Sequence, residues 1–594
     1  MSDGIFNFNE KDALGYVISV DTAQVIIDVN DIEKLRAFQV NKLVALQSSH
    51  SSEFLIGFVQ KITRQTKPLI GEDETEKNDN DMDEIPPEIN RVRVILIGTF
   101  FKKLGEENNV FRRTLETVPE INAACFSVTG IDLSGFMRAV TTGEKENSLI
   151  LGKYTIDASA NAFLNGDLFF QRHAMIVGST GSGKSWTTAN IIEQTAKLAN
   201  GNALVFDIHG EYSNLQGNGF EHYKIASSTD IDAKRQLEDG IIHLPYWLLN
   251  YNDLVSMFVD RSDQNAPNQT MIMANAIRET KKSYIEGKNL LEIERYFTLD
   301  SPIPFCLSEL LDKLRELNEE KVLGQQKTKN GDLGQQKTKN GEYNGKLGRL
   351  IARLESKKED RRLAFMFGED STIHDLEWLK KLAARLFTGR QQKENTQGGI
   401  KIINFSEVPS DILPLSVSLI ARMALNIQQW SDRNDRHPIA LFCDEAHLYI
   451  AEDSGRSLLL QSALETFERI SKEGRKYGVG LVIISQRPSE INRTVLSQCN
   501  NVIAMRLTNA EDQHVIRRLL PDSLGGFSDV LPILDVGEAL VVGDASLLPS
   551  RIRINKPETE PKSGTIPFWQ KWAQENTTTN VPNAVNNWLK QSIV

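Results

Sequence analysis

A glycine-rich stretch at residues 178–185 carries the strongest chemical signal in the sequence. It fits the pattern G-x-x-x-x-G-K-[ST], with the residues Gly178, Ser179, Thr180, Gly181, Ser182, Gly183, Lys184 and Ser185. In such a loop the backbone N–H groups surround phosphates, the lysine reaches the β and γ oxygens, and the serine hydroxyl ligates Mg²⁺. The stretch predicts a site for ATP and Mg²⁺, with Lys184 as a catalytic residue and Trp186 as a further nucleotide contact.

Paired carboxylates supply the next component of this chemistry. An apolar run at 438–443 ends in Asp444 and Glu445, and a later apolar run is followed by Gln486. Phosphoryl transfer to water needs a carboxylate in the Mg²⁺ shell and a group that polarises the attacking water. We predict that Asp444 joins Ser185 as a metal ligand and that Glu445 polarises the water. Gln486 then senses the γ-phosphate or orients that water.

Basic residues near the end of a helical pattern have two interpretations. Arg475 and Lys476 precede the apolar run at 481–484, and Arg487 follows it. They form either a solvated helix end, which is favoured for Lys476, or a cation supplied to the phosphates of a neighbouring subunit. Guanidinium geometry matches phosphate bidentately, so Arg475 is the preferred residue for the second role.

A polar group follows another strand-like run, at residues 203–206. The sequence continues as Asp-Ile-His-Gly-Glu-Tyr, which includes His209 and Glu211. Open α/β sheets bind their ligands at the carboxyl ends of strands, so both residues are candidates for nucleotide binding. For His209, a structural hydrogen bond and direct catalysis are equally good interpretations.

The elements that would position these residues alternate between strand and helix after residue 151. Such alternation predicts an α/β fold, with a mostly parallel sheet and helices on both faces. Residues 225–385 interrupt it with helical patterns, which predict an inserted helical bundle. Within that insertion, Leu323–Asp332 and Leu333–Glu342 are a near-perfect tandem duplication. Two polar ten-residue units cannot form a solenoid, so we predict an exposed loop.

Short alternating β-like runs fill most of residues 13–98 and predict a small N-terminal β-barrel. The acidic loop 71–88 interrupts these runs. Its Asp79, Asp81 and Asp83 imitate the start of an EF-hand. However, Glu84 occupies the position that requires glycine, and the bidentate glutamate is missing. A solvated loop is therefore the better interpretation.

Composition limits the class of protein. The chain has 594 residues, which predicts about three or four domains. Its four cysteines are scattered, and no run of ~18 apolar residues could span a bilayer. These features predict a cytoplasmic protein without membrane contact. With 79 acidic and 68 basic residues and a net charge of −11, any DNA contact must come from a local basic lining, for which Arg456 is a candidate.

The motif order GSTGSGKS, DIHGEY, LFCDEAH, EGRKYGVGLVIISQRP, SQCNNVIAMRLTNAED and GEALVVG resembles the HerA branch of the HerA/FtsK ATPases. The resemblance implies a RecA-like P-loop NTPase core, a HAS-type N-terminal barrel, an inserted helical bundle, and a C-terminal brace that reaches a neighbour. By motif, Lys184 and Ser185 bind nucleotide and Mg²⁺, Asp444 and Glu445 form the Walker B pair, Gln486 is sensor-like, Arg475 acts in trans, and Arg172 lies at the subunit boundary. One departure is Ile208, where the family commonly has proline.

The resulting domain prediction has five segments: 1–150, the barrel; 151–224, the first segment of the core; 225–385, the helical bundle; 386–555, the second segment of the core; and 556–594, the brace. The leading functional hypothesis is an ATP-driven homohexameric DNA translocase or helicase with double-stranded DNA in its central pore. It would work in DNA end processing or antiphage defence with an effector docked on the barrel. That effector is a NurA-like nuclease, a sirtuin-like NAD hydrolase or another nuclease.

Two alternatives use the same nucleotide site. The first is a ring scaffold whose ATP binding assembles and activates the effector, without a need for translocation. The second is the coupling ATPase of a secretion or conjugation channel, which the missing membrane segment disfavours.

Overall fold

The computed structural model of the chain describes residues 5–50, 52–66, 88–105, 107–141, 148–324, 337–368, 370–389, 398–452, 458–519, 522–564, 566–574 and 580–590. The chain forms two compact units, Met1–Asp167 with Glu538–Asn555 (unit 1) and Leu168–Gly537 with Lys556–Val594 (unit 2). Most of the predicted acidic loop, including its EF-hand-like aspartates, lies outside the described residues, as does Arg456.

Unit 1 begins with the predicted barrel. Its strands are β1 Gly15–Asp21, β2 Gln24–Asp28, β3 Leu43–Gln47, β4 Glu53–Thr66, β5 Glu88–Leu104, β6 Glu107–Arg112 and β7 Ala124–Ser127. They form a seven-stranded sheet in the order β2-β1-β7-β3-β4-β5-β6, and an additional β2–β5 pairing closes it. Alternate residues such as Val17, Val25 and Val94 point into a fully buried core, as the period of two in the sequence requires. The helices are α1 Ile32–Arg36 and α2 Gly130–Thr141.

Two further strands of unit 1 follow the barrel, β8 Leu149–Tyr154 and β9 Asp157–Leu164. They pair with each other in antiparallel fashion.

Unit 2 is built on a parallel sheet. Its strands are β10 Ala174–Val177, β11 Ala203–Asp207, β12 Phe220–Ile225, β13 Ile241–Ile242, β16 Ile400–Asn404, β17 Ile439–Cys443, β18 Val479–Ser485 and β19 Asn501–Ala504, while β14 Lys321–Gly324 and β15 Lys337–Asn340 form a separate antiparallel ribbon. The sheet order is β13-β12-β16-β11-β17-β18-β10-β19. Strands β10, β17 and β18 are buried along their whole length, because helices cover both faces.

Helices connect and cover these strands. They are α3 Gly166–Gln171, α4 Lys184–Lys197, α5 Ser228–Asp232, α6 Tyr251–Phe258, α7 Ala266–Gly287, α8 Leu291–Glu294, α9 Leu307–Glu319, α10 Gly348–Glu359, α11 Ala364–Phe367, α12 Leu376–Phe387, α13 Leu413–Trp430, α14 Leu458–Tyr477, α15 Arg493–Gln498, α16 Ala510–Leu519, α17 Phe568–Trp572 and α18 Val581–Lys590. Helices α5–α12 lie between β12 and β16 in the chain, as the predicted helical insertion requires. Within the described ranges, no helix has the length and apolar character to cross a bilayer.

The chain returns to unit 1 through β20 Glu538–Gly543 and β21 Ser546–Ile554. These strands pair with each other, and β21 pairs with β8 in antiparallel fashion. The compact units therefore group residues 151–167 and 538–555 with the barrel, whereas the domain prediction followed the sequence motifs and placed them in the core. The five predicted domain boundaries stay predictions.

The duplicated segment is only partly a loop. Its described ends are strands, since Leu323 pairs with Thr338 within the ribbon of β14 and β15. Residues 325–336 lie outside the described residues.

Candidate functional site

The glycine-rich loop joins the carboxyl end of β10 to the amino end of α4. Gly181 and Gly183 have positive φ angles of 73° and 110°, which glycine adopts without steric cost. At Gly178 an added Cβ would lie 2.5 Å from Ser182 Oγ, so the chain packs too closely there for a side chain. The loop N–H groups and the positive end of the α4 dipole together form a site for an anion.

Lys184 lies in the first turn of α4 and is 8% exposed. Its ammonium donates a hydrogen bond to the Ser179 carbonyl at 3.3 Å, so the side chain lies back along the loop. Burial lowers the pKa of Lys184, and the carboxylates of Glu445, Asp444 and Glu211 oppose that shift. The predicted phosphate-binding lysine is thus held between the loop and a cluster of acidic residues.

That acidic cluster follows two adjacent strands. Asp444 and Glu445 come after β17, and Asp207 ends β11; all three are buried. Burial raises the pKa of Asp444 well above its usual range, and the nearby Glu445, Asp207 and Glu211 raise it further. Because carboxylates outnumber the ammonium of Lys184, the cluster favours an additional cation.

The cluster alone does not complete a metal site. Within the described stretches of the chain, no group of three or more His, Cys, Asp or Glu side chains is arranged to hold a metal ion. The Ser185 hydroxyl and the Asp444 carboxylate would hold Mg²⁺ together with nucleotide phosphates and water, which is the usual coordination of this ion. The residues present therefore fit ATP with Mg²⁺.

Glu445 is held in an unusual conformation. Its φ and ψ angles are 44° and 46°, a left-handed backbone that costs a non-glycine residue energy and is concentrated at functional sites. Its Oε1 accepts a hydrogen bond from Gln486 Nε2 at 2.5 Å, and Gln486 Oε1 accepts one from Thr180 Oγ1 at 2.6 Å. This chain of contacts links the phosphate loop to the carboxylate.

The other oxygen of Glu445 remains available. Oε2 is buried and accepts no hydrogen bond from the described residues, and its contact with Nδ1 of His447, at 3.3 Å, is an ion pair only when that ring is protonated. A buried carboxylate oxygen without a donor is costly unless a ligand or water satisfies it. Glu445 is therefore suited to bind and polarise a water molecule.

The turn after β11 directs Glu211 toward the site and leaves His209 exposed. Asp207 accepts hydrogen bonds from the backbone N–H groups of Glu211 at 2.9 Å and Tyr212 at 3.0 Å, which fixes the turn. The turn directs Glu211 toward Lys184 and Asp444, whose pKa values respond to it. His209 is exposed. The sequence interpretation did not identify Asp207 or His447 as site residues, although both lie within the quoted motifs.

Two of the candidate arginines, Arg475 and Arg172, lie where the amino ends of the strands meet, at the edge of the sheet opposite the phosphate loop. Arg475 is exposed in the last turn of α14, beside the amino end of β18, where Gly474 packs against the Val479 carbonyl. Arg172 precedes β10 and its carbonyl accepts a hydrogen bond from the Asn500 N–H at 3.0 Å. Gln486 follows the carboxyl end of β18, about 20 Å away along the strand.

The remaining candidate arginine, Arg487, lies on the same edge as the phosphate loop. Its guanidinium forms an ion pair with Glu490 at 2.5 Å. It is therefore already partnered within its own subunit.

The start of the predicted brace packs on α4. The buried carboxylate of Glu193 accepts the backbone N–H groups of Glu558 and Thr559, both at 2.8 Å. The Lys556 ammonium lies 5.3 Å from the ring centroid of the half-buried Trp186. Sequence patterns did not predict these contacts, which place residues 556–562 beside the predicted nucleotide site.

Proteins with sequence similarity to the chain include two from archaea. It is 25% identical over 425 residues to the protein of Sulfolobus acidocaldarius named DNA double-strand break repair helicase HerA, covering 70% of this chain and 71% of that protein. The protein of the same name from Pyrococcus furiosus is 26% identical over 414 residues, or 66% of this chain and 67% of that protein.

Solved structures with similarity to the chain include VirB4 of Thermoanaerobacter pseudethanolicus. That match has a TM-score of 0.44 and 16% identity, and covers 72% of this chain and 99% of VirB4. Plasmid coupling protein TrwB in complex with ADP and Mg²⁺ matches with a TM-score of 0.40 and 14% identity, over 73% of this chain and 93% of TrwB.

Two sequence models of one family match overlapping regions of the chain. The model described as Helicase HerA, central domain, matches residues 149–424, and the model described as Helicase HerA-like C-terminal matches residues 391–552. Together they span residues 149–552, which contain the glycine-rich loop, the Asp444–Glu445 pair and Gln486. The chain therefore belongs to the HerA family of P-loop ATPases.

Proposed function

We propose that this HerA-family ATPase is a homohexameric motor that moves along double-stranded DNA held in its central pore, and that it acts in DNA end processing or antiphage defence. The observation that carries the proposal is the division of charge between the two edges of the parallel sheet. The phosphate loop, Asp444, Glu445 and Gln486 lie at one edge, and Arg475 and Arg172 lie at the other. The names of the archaeal relatives, DNA double-strand break repair helicases, support DNA as the substrate.

Each subunit supplies most of the hydrolytic site. The loop N–H groups and Lys184 bind the phosphates, and Ser185 and Asp444 hold Mg²⁺, which when bound neutralises charge on the phosphate oxygens. Glu445 withdraws a proton from the attacking water through its unpaired oxygen. The hydrogen bonds from Thr180 to Gln486 and from Gln486 to Glu445 transmit the state of the loop to that carboxylate.

The position of Arg475 supports a ring. An arginine that stabilises the transferred phosphoryl group must contact it, and Arg475 is separated from its own phosphate loop by the length of β18, about 20 Å. A head-to-tail ring brings one edge of each subunit against the opposite edge of the next. In such a ring Arg475 reaches the neighbour's nucleotide, with Arg172 at the same boundary.

The effector component of the proposal concerns the barrel. Several large apolar side chains of unit 1 are more than half exposed, namely Val118 at 54%, Ile121 at 58% and Ile131 at 89%. Contiguous exposed apolar patches mark interaction sites, and these three side chains are the candidates for such a patch on unit 1. We propose that an effector, either a nuclease of the NurA type or another, or a sirtuin-like NAD hydrolase, docks on the barrel in the cytoplasm.

Mixed rings test the division of the site between subunits. Glu445→Gln removes the group that polarises water and should slow hydrolysis by about two orders of magnitude or more, while ATP binding is retained. Arg475→Ala should hydrolyse ATP about 10³–10⁵-fold more slowly than the parent, and it should also retain ATP binding. Mixing the two variants rebuilds complete sites where an Arg475→Ala subunit receives the arginine of a Glu445→Gln neighbour. Random equal mixing completes about a quarter of the interfaces, so up to about a quarter of parental activity should return.

The adjacent Lys476 provides the matched control. It is exposed in the same helical turn, and Lys476→Ala should hydrolyse ATP at close to the parental rate. Mixed rings verified by native mass spectrometry that stay as inactive as either parent would remove Arg475 from the trans role. Monomers in the presence of ATP and Mg²⁺ at micromolar concentration would contradict the hexamer itself.

A further inference from the structure

Three cations lie together on the outer face of the barrel, and we call Lys61, Arg91 and Arg93 the cationic stripe. Lys61 on β4 is directly opposite Arg93 on β5, and Arg91 is two residues from Arg93 on the same strand. All three side chains are exposed, and none forms a hydrogen bond or ion pair with any residue that the structure describes. Among the residues that the structure describes, the stripe is therefore positive charge without an ion-pair partner, on a chain whose net charge is −11.

This arrangement is costly for the barrel by itself. Like charges directly opposite each other on neighbouring strands destabilise a sheet, whereas opposite charges stabilise it. The same two strands, β4 and β5, also contain a cation that has an ion-pair partner. Arg64 binds both carboxylate oxygens of Glu88 at 2.6–2.8 Å. Asp28 on β2 is the cross-strand neighbour of Arg91 and offsets part of the charge of the stripe, whereas Lys61 and Arg93 face each other. A polyanion bound to the stripe would supply the missing counter-charge.

The spacing of the stripe suits a phosphate backbone. Alternate residues on a strand are about 6.7 Å apart and neighbouring strands about 4.8 Å apart, so the three cations lie within one small area. DNA carries a charge for about every 1.7 Å of its axis, which places several phosphates within reach of that area. On the same barrel face, Tyr16 of β1 pairs with Asp28 of β2, and Tyr16 is 46% exposed.

We propose that the cationic stripe is a DNA-binding surface of the barrel itself, additional to any contact in the pore. It contacts the phosphate backbone, which Lys and Arg side chains neutralise whatever the base sequence. The inference rests on the proposed function, in which DNA is the substrate. It adds a contact that sequence patterns did not predict.

The test compares two variants of the full chain for binding to a fluorescent DNA duplex of mixed sequence. One carries Lys61→Gln, Arg91→Gln and Arg93→Gln; the control carries Arg64→Gln, which removes a cation that already has a partner. Each phosphate contact contributes about 0.9 to the magnitude of the slope of log affinity against log salt concentration. In the stripe variant that magnitude should therefore fall by between about two and three. At about 0.1 M salt this corresponds to roughly a hundredfold weaker binding or more. The control should match the parent, and ATP hydrolysis without DNA should be unchanged in both.

Each outcome decides one claim. A stripe variant with the parental affinity and salt slope would overturn the inference and leave the proposed function intact. Failure of the parent itself to bind DNA would contradict the proposed function. Unchanged DNA binding with loss of a co-purifying protein would assign the stripe to an acidic protein partner instead, which also overturns the inference. Arg93→Gln alone, which removes the like-charge pair, should lower the slope by about 0.9 without lowering the urea midpoint of unfolding.

Discussion

The histidine that precedes the central strand should make the stability of unit 2 depend on pH. His173 is 3% exposed and lies directly before β10. Its Nδ1 accepts the Leu481 N–H at 3.0 Å, and its Nε2 lies 3.1 Å from the Ser471 carbonyl, to which it donates. Both contacts are satisfied only when the ring is neutral with its proton on Nε2. Burial lowers the pKa of His173 to about 4, partly opposed by the Ser471 carbonyl.

The magnitude follows from proton linkage. The unfolded chain has an ordinary histidine pKa of about 6.5, so the folded value is depressed. The corresponding stability is fully present above pH 6.5, and it is lost as the pH falls toward 4. The unfolded state binds up to one more proton than the folded state in this window. The free energy of unfolding therefore falls by about 2 kcal/mol between pH 7 and pH 5. The full loss below pH 4 is about 3 kcal/mol.

The assay is urea unfolding of the parent and of His173→Gln at the two pH values. The amide of glutamine can also accept and donate, but it does not titrate, so the variant should lose about 2 kcal/mol less between pH 7 and pH 5 than the parent does. His514→Gln changes an exposed histidine of the same unit and controls for the effect of a His→Gln substitution itself. Equal pH dependence in parent and His173→Gln, or an NMR titration of the His173 ring near pH 6.5, would refute the reasoning.

Two further predictions concern the loop and the segment beside it. Gly178→Ala places a Cβ 2.5 Å from Ser182 Oγ and 2.8 Å from Met505 Cβ, so it should destabilise the protein by about 1–3 kcal/mol and weaken ATP binding; calorimetric titration with parental affinity would contradict this. Glu193→Ala removes the carboxylate that holds residues 556–562, so hydrogen exchange in that segment should accelerate at least tenfold; unchanged protection would show that other contacts hold it.

The residues predicted for the site come from local patterns in the sequence, and their roles stay predictions. The glycine-rich loop and the Asp444–Glu445 pair are encoded within a few residues each, because the backbone conformation of a loop and the end of an apolar strand are local properties. The parallel sheet, the barrel and the helical insertion also follow from the period of the apolar residues. The family resemblance is confirmed by sequence models that span residues 149–552.

Contacts between distant segments were decided only by the tertiary structure. Thr180 and Gln486 are 306 positions apart, and only the adjacent placement of β10 and β18 brings them within hydrogen-bond distance. The closure of the barrel by β2 and β5, and the opposition of Lys61 and Arg93, depend on strand register, which a period of two does not specify by itself.

The placement of Arg475 shows the same limit. Its sequence position, eleven residues before Gln486, suggests that the two act together, yet a fully extended β18 separates them by about 20 Å. By itself the sequence determined which residue types can bind and hydrolyse a nucleotide, because that chemistry depends on short motifs. The tertiary structure decided which of those residues share one site, because proximity in a sheet is set by strand order and direction rather than by distance along the chain.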